Sequence, residues 1–81
     1  MSMSKGDFSF LDVLPVGKPA RIIRIRGGRQ LSRRLMGLGL RVGSQIKVVQ
    51  HRAHGVVVAN GANRVALGGG VVDKLEMEPL D

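Results

Sequence analysis

Few residues in this chain have types and spacing that could do chemistry, and His51 and His54 come first because they are its only histidines. Three positions apart, their imidazoles could meet on one metal ion if the intervening chain turns. A transition-metal centre needs three or four protein ligands, and there is no cysteine to complete this pair. Asp12 and Asp73 are carboxylates that a fold could bring near, but no local spacing requires it. His51 and His54 therefore read as loop histidines, with no intrinsic metal site and no cofactor expected. No serine or histidine has a context that builds a nucleophile with an orienting carboxylate, so the chain does not read as an enzyme. Gly37, Gly39 and Gly43 have the wrong spacing for a dinucleotide fingerprint and close a helix instead of opening one. Residues 68–74 lack the Gly-Lys-Ser/Thr ending of a phosphate loop. What remains is Arg33 and Arg34, adjacent guanidinium groups of the kind that grip carboxylates bidentately.

The element that positions those arginines is the one convincing helix of the sequence. Leu31, Leu35 and Leu38 fall at i, i+4 and i+7 and form one apolar stripe, which leaves Arg33, Arg34 and Gly37 on the other side. The helix is expected to start near Gly28 and to stop at Gly39, whose freedom to take positive φ suits a left-handed cap. Leu40 then folds back onto Leu35.

The length of 81 residues permits one small core. Without cysteine, packing alone must hold it, as suits a reducing compartment. Residues 1–6 lack the apolar core of a signal peptide, and no apolar run approaches the ~20 residues of a membrane span, so the reading is cytoplasmic. A net charge of +7, from 13 Lys and Arg against 6 Asp and Glu, suggests an acidic partner, whether nucleic acid, an anionic membrane face or an acidic protein surface, although basic residues scattered along the whole chain equally suit a solvated cationic surface. Phe8 and Phe10 are the only aromatic residues. Base stacking on exposed aromatics is thus disfavoured, and specific nucleic-acid recognition with it.

Along the chain, Ser9 and Asp12 have the spacing of a weak capping box, with one helical turn over residues 10–14. Leu14-Pro15-Val16-Gly17 reads as a type I turn. Strand character over residues 19–26 breaks parity at Ile22, Ile23 and Ile25, which requires a bulge or burial on both faces. Leu40-Arg41-Val42-Gly43 shares the turn chemistry of Leu14-Pro15-Val16-Gly17. A strand over residues 45–50 follows, with Ile46 and Val48 on one side, and then a polar break over residues 51–55. Asn60-Gly61 signals a hairpin between Val56-Val57-Val58-Ala59 and Arg64-Val65-Ala66-Leu67. The run Gly68-Gly69-Gly70 should not hold regular structure, and residues 71–73 should make a tight turn. Leu75 and Met77 alternate with Lys74, Glu76 and Glu78 in a last, half-buried strand. The expected core is Ile22, Ile25, Leu31, Leu35, Leu38, Ile46, Val48, Val65, Leu67, Leu75 and Met77. About five antiparallel strands with one helix inserted after the first make a mainly β, SH3-like barrel whose closure removes exposed edges. Residues 1–7 read as a flexible segment and residues 8–81 as the barrel domain.

With these pieces in order, the sequence resembles the FeoA family of small cytoplasmic accessory proteins of bacterial ferrous-iron transport. The resemblance is carried by Leu11-Asp12-Val13-Leu14-Pro15-Val16-Gly17, by residues 22–28, by Arg34-Leu35-Met36-Gly37-Leu38-Gly39-Leu40 with Gly43, and by Val65-Ala66-Leu67-Gly68 ahead of Lys74-Leu75. The chain departs from the family at Val42, where Pro is frequent, and at Gly69, where a basic residue is common. The resemblance implies an SH3-like barrel, a role in iron transport without catalysis, and a partner, the FeoB membrane permease, whose cytoplasmic part contains a GTPase domain. Membrane association would then be only through that partner, and self-association is compatible with the sequence. The exposed helix face of Arg33, Arg34 and Gly37 is the expected partner-binding surface, although Arg34 could instead tie the helix to the acidic C-terminal strand. Two other readings are a nucleic-acid-binding SH3-like domain and a small intrinsic metal-binding protein.

Overall fold

A computed structural model describes residues 9–80; residues 1–7, read above as flexible, and Phe8 lie outside the described residues. Six strands form one antiparallel sheet in the order β1-β6-β2-β3-β4-β5. They are β1 (Ser9–Phe10), β2 (Pro19–Ile25), β3 (Gln45–Arg52), β4 (Gly55–Asn60), β5 (Asn63–Gly68) and β6 (Leu75–Pro79). A 3₁₀ turn (Leu11–Val13), helix α1 (Gly28–Gly37) and a single helical turn, α2 (Gly69–Val72), complete the described elements.

The strand absent from the sequence reading is β1, a two-residue segment too short to show alternation, which pairs with β6 through Ser9↔Met77 and Phe10↔Glu76. Ser9 does not cap the turn that follows: Phe10 occupies that position and no side chain caps it. The parity break in β2 is a bulge at Ile23, since the pairing with β6 slips between Ile22 and Arg24. A second bulge at Val49 lets β3 slip against β4. Such bulges bend and twist strands, which is how so short a sheet curls around its core.

Among the described residues the curl is not sealed by strand pairing. Among the described residues β5 pairs only with β4 and β1 only with β6, and α2 packs across the gap against β4, β5 and the 3₁₀ turn. The glycines at 69 and 70 therefore do hold regular structure, because Val72 beyond them is pulled into the core while Val71 packs beside it.

The core contains Leu11, Leu14, Ala20, Ile22, Leu35, Leu40, Ile46, Val48, Val56, Val58, Leu67, Val72, Leu75 and Met77, with Ile25, Leu31, Val65 and Val71 packed at its margin. Leu38 does not belong to it and is 44% exposed. The helix ends at Gly37, Leu38 is the cap residue, and the chain reverses at Gly39, so Leu40 takes the inward place. The Leu40 N–H donates to the Leu35 carbonyl at 2.9 Å and the Gly39 N–H to that of Met36 at 2.9 Å, the two bonds of a Schellman cap.

Glu76 also departs from simple alternation. It is only 6% exposed because β6 lies between β1 and β2, with Phe10 and Arg24 as its cross-strand neighbours. Arg26 compensates the buried carboxylate with a 3.1 Å ion pair and lies 6.0 Å from the Phe10 ring centroid.

Two turns differ in type from expectation. Gly17 and Gly43 sit third, not fourth, in turns closed by Lys18 N–H to Pro15 O (3.4 Å) and Ser44 N–H to Arg41 O (2.9 Å). Both take positive φ, as a type II turn needs at that position, so the two segments do share their chemistry. In the β4–β5 hairpin the turn residues are Gly61 and Ala62, and only Gly61 has positive φ, as in a type II′ turn. Asn60 is thereby kept as the last paired residue of β4. Its side-chain Nδ2–H donates to the Gly39 carbonyl at 2.9 Å and ties the helix cap to the hairpin.

Candidate functional site

Helix α1 is attached to the barrel along one line. Leu35 is buried and Leu31 half-buried, whereas Arg33, Arg34, Met36 and Gly37 are exposed, so the predicted arginine face does point outward. The two glutamates of β6 are both engaged elsewhere: Glu76 by Arg26, and Glu78 by Arg21 at 3.4 Å. Among the described residues no ion pair involves Arg33 or Arg34, and the tie from Arg34 to the C-terminal strand does not form.

Gly37 is informative because nothing inside the domain requires it. Its φ is not positive, and a Cβ built on it would meet no atom within 4 Å beyond its chain neighbours and its own helix backbone. Gly39, two residues on, is the opposite case: φ is +84° and a Cβ would lie 3.2 Å from Asn60 Nδ2. Glycine within a helix costs roughly 0.5–1 kcal/mol relative to alanine. Gly39 lies beyond the helix, where its positive φ requires glycine; at Gly37, the last helical residue, the fold makes no such demand. Met36 at 62% exposure, Leu38 at 44% and Val42 at 57% add apolar surface in and just after the same helix. Helical periodicity marks the arginines but not this apolar surface, since it turns Leu38 toward the core and carries no signal for Met36 or Val42.

The histidines lie at the far end of the β3–β4 hairpin. His51 is in β3, not in a loop, and its Nε2–H donates to the Leu14 carbonyl at 2.6 Å. That bond fixes the proton on Nε2 and leaves Nδ1 as the only nitrogen able to act as a ligand. His54 is in the exposed turn, where its carbonyl accepts from the Gly69 N–H at 2.7 Å. Asp12 and Asp73 line a cleft with both histidines, yet among the described residues no three His, Cys, Asp or Glu side chains are grouped closely enough to hold a metal. The cleft is a structural junction where the hairpin end meets the 3₁₀ turn and α2.

Comparison with known proteins gives this surface a context. The FeoA domain family matches residues 11–79. A crystal structure of an iron uptake regulatory protein (FeoA) superposes with a TM-score of 0.83 at 24% identity, over 91% of this chain and 100% of that one. The solution structure of iron(II) transport protein A from Clostridium thermocellum is 30% identical with a TM-score of 0.82, over 89% of this chain and 46% of that one. A manganese-dependent transcriptional repressor shares the fold alone, with a TM-score of 0.81 at 22% identity over 90% of this chain and 42% of the repressor. No curated protein sequence matches the chain. Because the family match runs from the 3₁₀ turn to the last residue of β6, over the whole barrel as well as its helix, the chain belongs to the FeoA domain family.

Proposed function

We propose that this protein is a non-enzymatic accessory protein of ferrous-iron uptake that acts in the cytoplasm by binding the GTPase-containing part of a FeoB-type permease. Its docking surface is the α1 face of Arg33, Arg34 and Gly37. The family supports the iron-transport setting. The observation that carries the surface is Gly37, a helical glycine that neither backbone geometry nor packing within the domain calls for. Beside two arginines without acidic partners among the described residues, it lets another backbone approach the helix closely while carboxylates engage the guanidinium groups. No described helix is long and apolar enough to cross a membrane. The test is a pull-down of the tagged protein from its own membranes, with recovered proteins and nucleic acids both identified. Recovery of the permease supports the proposal; recovery of nucleic acid or unrelated proteins without the permease refutes it.

A further inference from the structure

We propose a second interaction surface, independent of the helix face: the outer edge of β5, which takes up an extended acidic segment of a partner protein as an added strand. Strand β5 ends the sheet, and among the described residues β4 is its only neighbour. Its outward groups follow from the register. In a two-residue hairpin the flanking pair, here Asn60 and Asn63, exchanges both hydrogen bonds, and the pattern alternates from there. Val65 and Leu67 therefore bond to β4, a parity that continues in the 2.7 Å bond from Gly69 N–H to the His54 carbonyl. The N–H and C=O groups of Arg64 and Ala66, and the N–H of Gly68, point away from the sheet.

The chemistry next to this edge selects the occupant. On the outer face, β3, β4 and β5 place Arg52, Gly55 and Gly68 in one row, Gln50, Val57 and Ala66 in the next, and Lys47, Ala59 and Arg64 in the third. The floor beside the edge is made of small residues, and Gln50, Arg52, Gly55, Ala66 and Gly68 line a groove there. Lys47, Arg52 and Arg64 are exposed, and β3, β4 and β5 contain no acidic residue. An incoming strand gains backbone bonds from the edge and charge complementarity chiefly from Arg64 on β5 itself, while Lys47 and Arg52, two strands further in, add to a positive field that no acidic residue of β3, β4 or β5 offsets. A second copy pairing through β5 would instead set two faces of like charge side by side, which disfavours self-association.

The probe is a synthetic peptide of about eight residues alternating Glu and Val, a common strand length, compared with its Lys-Val counterpart by amide NMR on the full chain. The Glu peptide should shift the Arg64, Ala66 and Gly68 amides and slow their exchange, and the Lys peptide should do neither. Ala66→Pro removes an outward N–H and suits an edge strand, so the fold should survive while binding falls at least about tenfold. The double variant Arg52→Glu, Arg64→Glu should weaken binding similarly, and ~1 M salt, where the Debye length is about 3 Å, should weaken it in the parent. Failure of the Glu peptide to shift the β5 amides, or undiminished binding by Ala66→Pro, would overturn the proposal. So would exchange protection of Arg64 and Ala66 without peptide: independent of concentration it means the chain covers its own edge, and rising with concentration it means a second copy does.

Discussion

Two glycines in adjacent turns of chain should respond to alanine with opposite signs, and the difference separates a fold requirement from a binding requirement. At Gly37 a methyl group meets nothing within 4 Å beyond its chain neighbours and its own helix backbone, and φ is not positive, so Gly37→Ala gains helix propensity without strain. The gain is at most the roughly 0.5–1 kcal/mol of a helix interior, because Gly37 is the last helical residue, and for a domain of this size it raises Tm by up to about 8 °C. At Gly39 the same change forces a Cβ onto a backbone at φ +84° and crowds Asn60. The left-handed conformation alone costs about 1–2 kcal/mol, so Gly39→Ala should lower Tm by about 4–16 °C. If Gly37 is a contact residue, its methyl overpacks the interface by about 1–3 kcal/mol, a loss in affinity of about 5- to 150-fold for the permease's cytoplasmic domain. Thermal melts followed by far-UV circular dichroism and a binding titration on the same samples provide both numbers. A Gly37→Ala variant that is stabilised and binds like the parent would refute the role given to Gly37. One that is destabilised would refute the claim that its surroundings are open.

Other consequences are as direct. Leu35 is buried and anchors both the helix and its cap, so Leu35→Ala should cost about 2–5 kcal/mol; a parental melt would mean the helix does not pack as described. Titration with ferrous iron or zinc under reducing conditions should show no stoichiometric micromolar site, because His51 offers one nitrogen and no third ligand is grouped with it among the described residues. Tight binding abolished by His51→Ala, His54→Ala would contradict this. Nucleic acid should bind weakly, without sequence preference and only at low salt, given a net charge of +7; a preferred sequence that survives physiological salt would move the function to nucleic acid.

Local signals carry far in this sequence, and part of what they miss depends on strand order. Helical spacing placed Leu35 inward and Arg33, Arg34 and Gly37 outward, and Gly39 announced the cap that brings Leu40 onto Leu35. The parity break across Ile22, Ile23 and Ile25 called for a bulge or burial on both faces, and it is the bulge, at Ile23, that forms. Glu76, by contrast, looked like an exposed residue of a half-buried strand. Only the placement of β6 between β1 and β2 buries it, and strand order is a long-range property that alternation does not encode. The same limit hid the edge of β5, which among the described residues pairs only with β4, since a sequence of short strands suggests closure without giving the strand order. Leu38 was misjudged by one residue of helix length, and Asn60 by the choice of the two turn residues. Among the candidate site residues, the pair of histidines was readable as incomplete, but the Leu14 carbonyl that engages His51 lies 37 positions away.

The central claim, that the outward face of α1 docks on the permease, is tested most directly by titrating the permease's soluble cytoplasmic domain with the parent and with the double variant Arg33→Glu, Arg34→Glu. Both side chains are exposed and make no ion pair among the described residues, so the variant should keep its far-UV spectrum and cooperative melt. The folded variant should neither bind nor restore ferrous-iron uptake, while the parent does both. Binding and uptake equal to the parent's would contradict it.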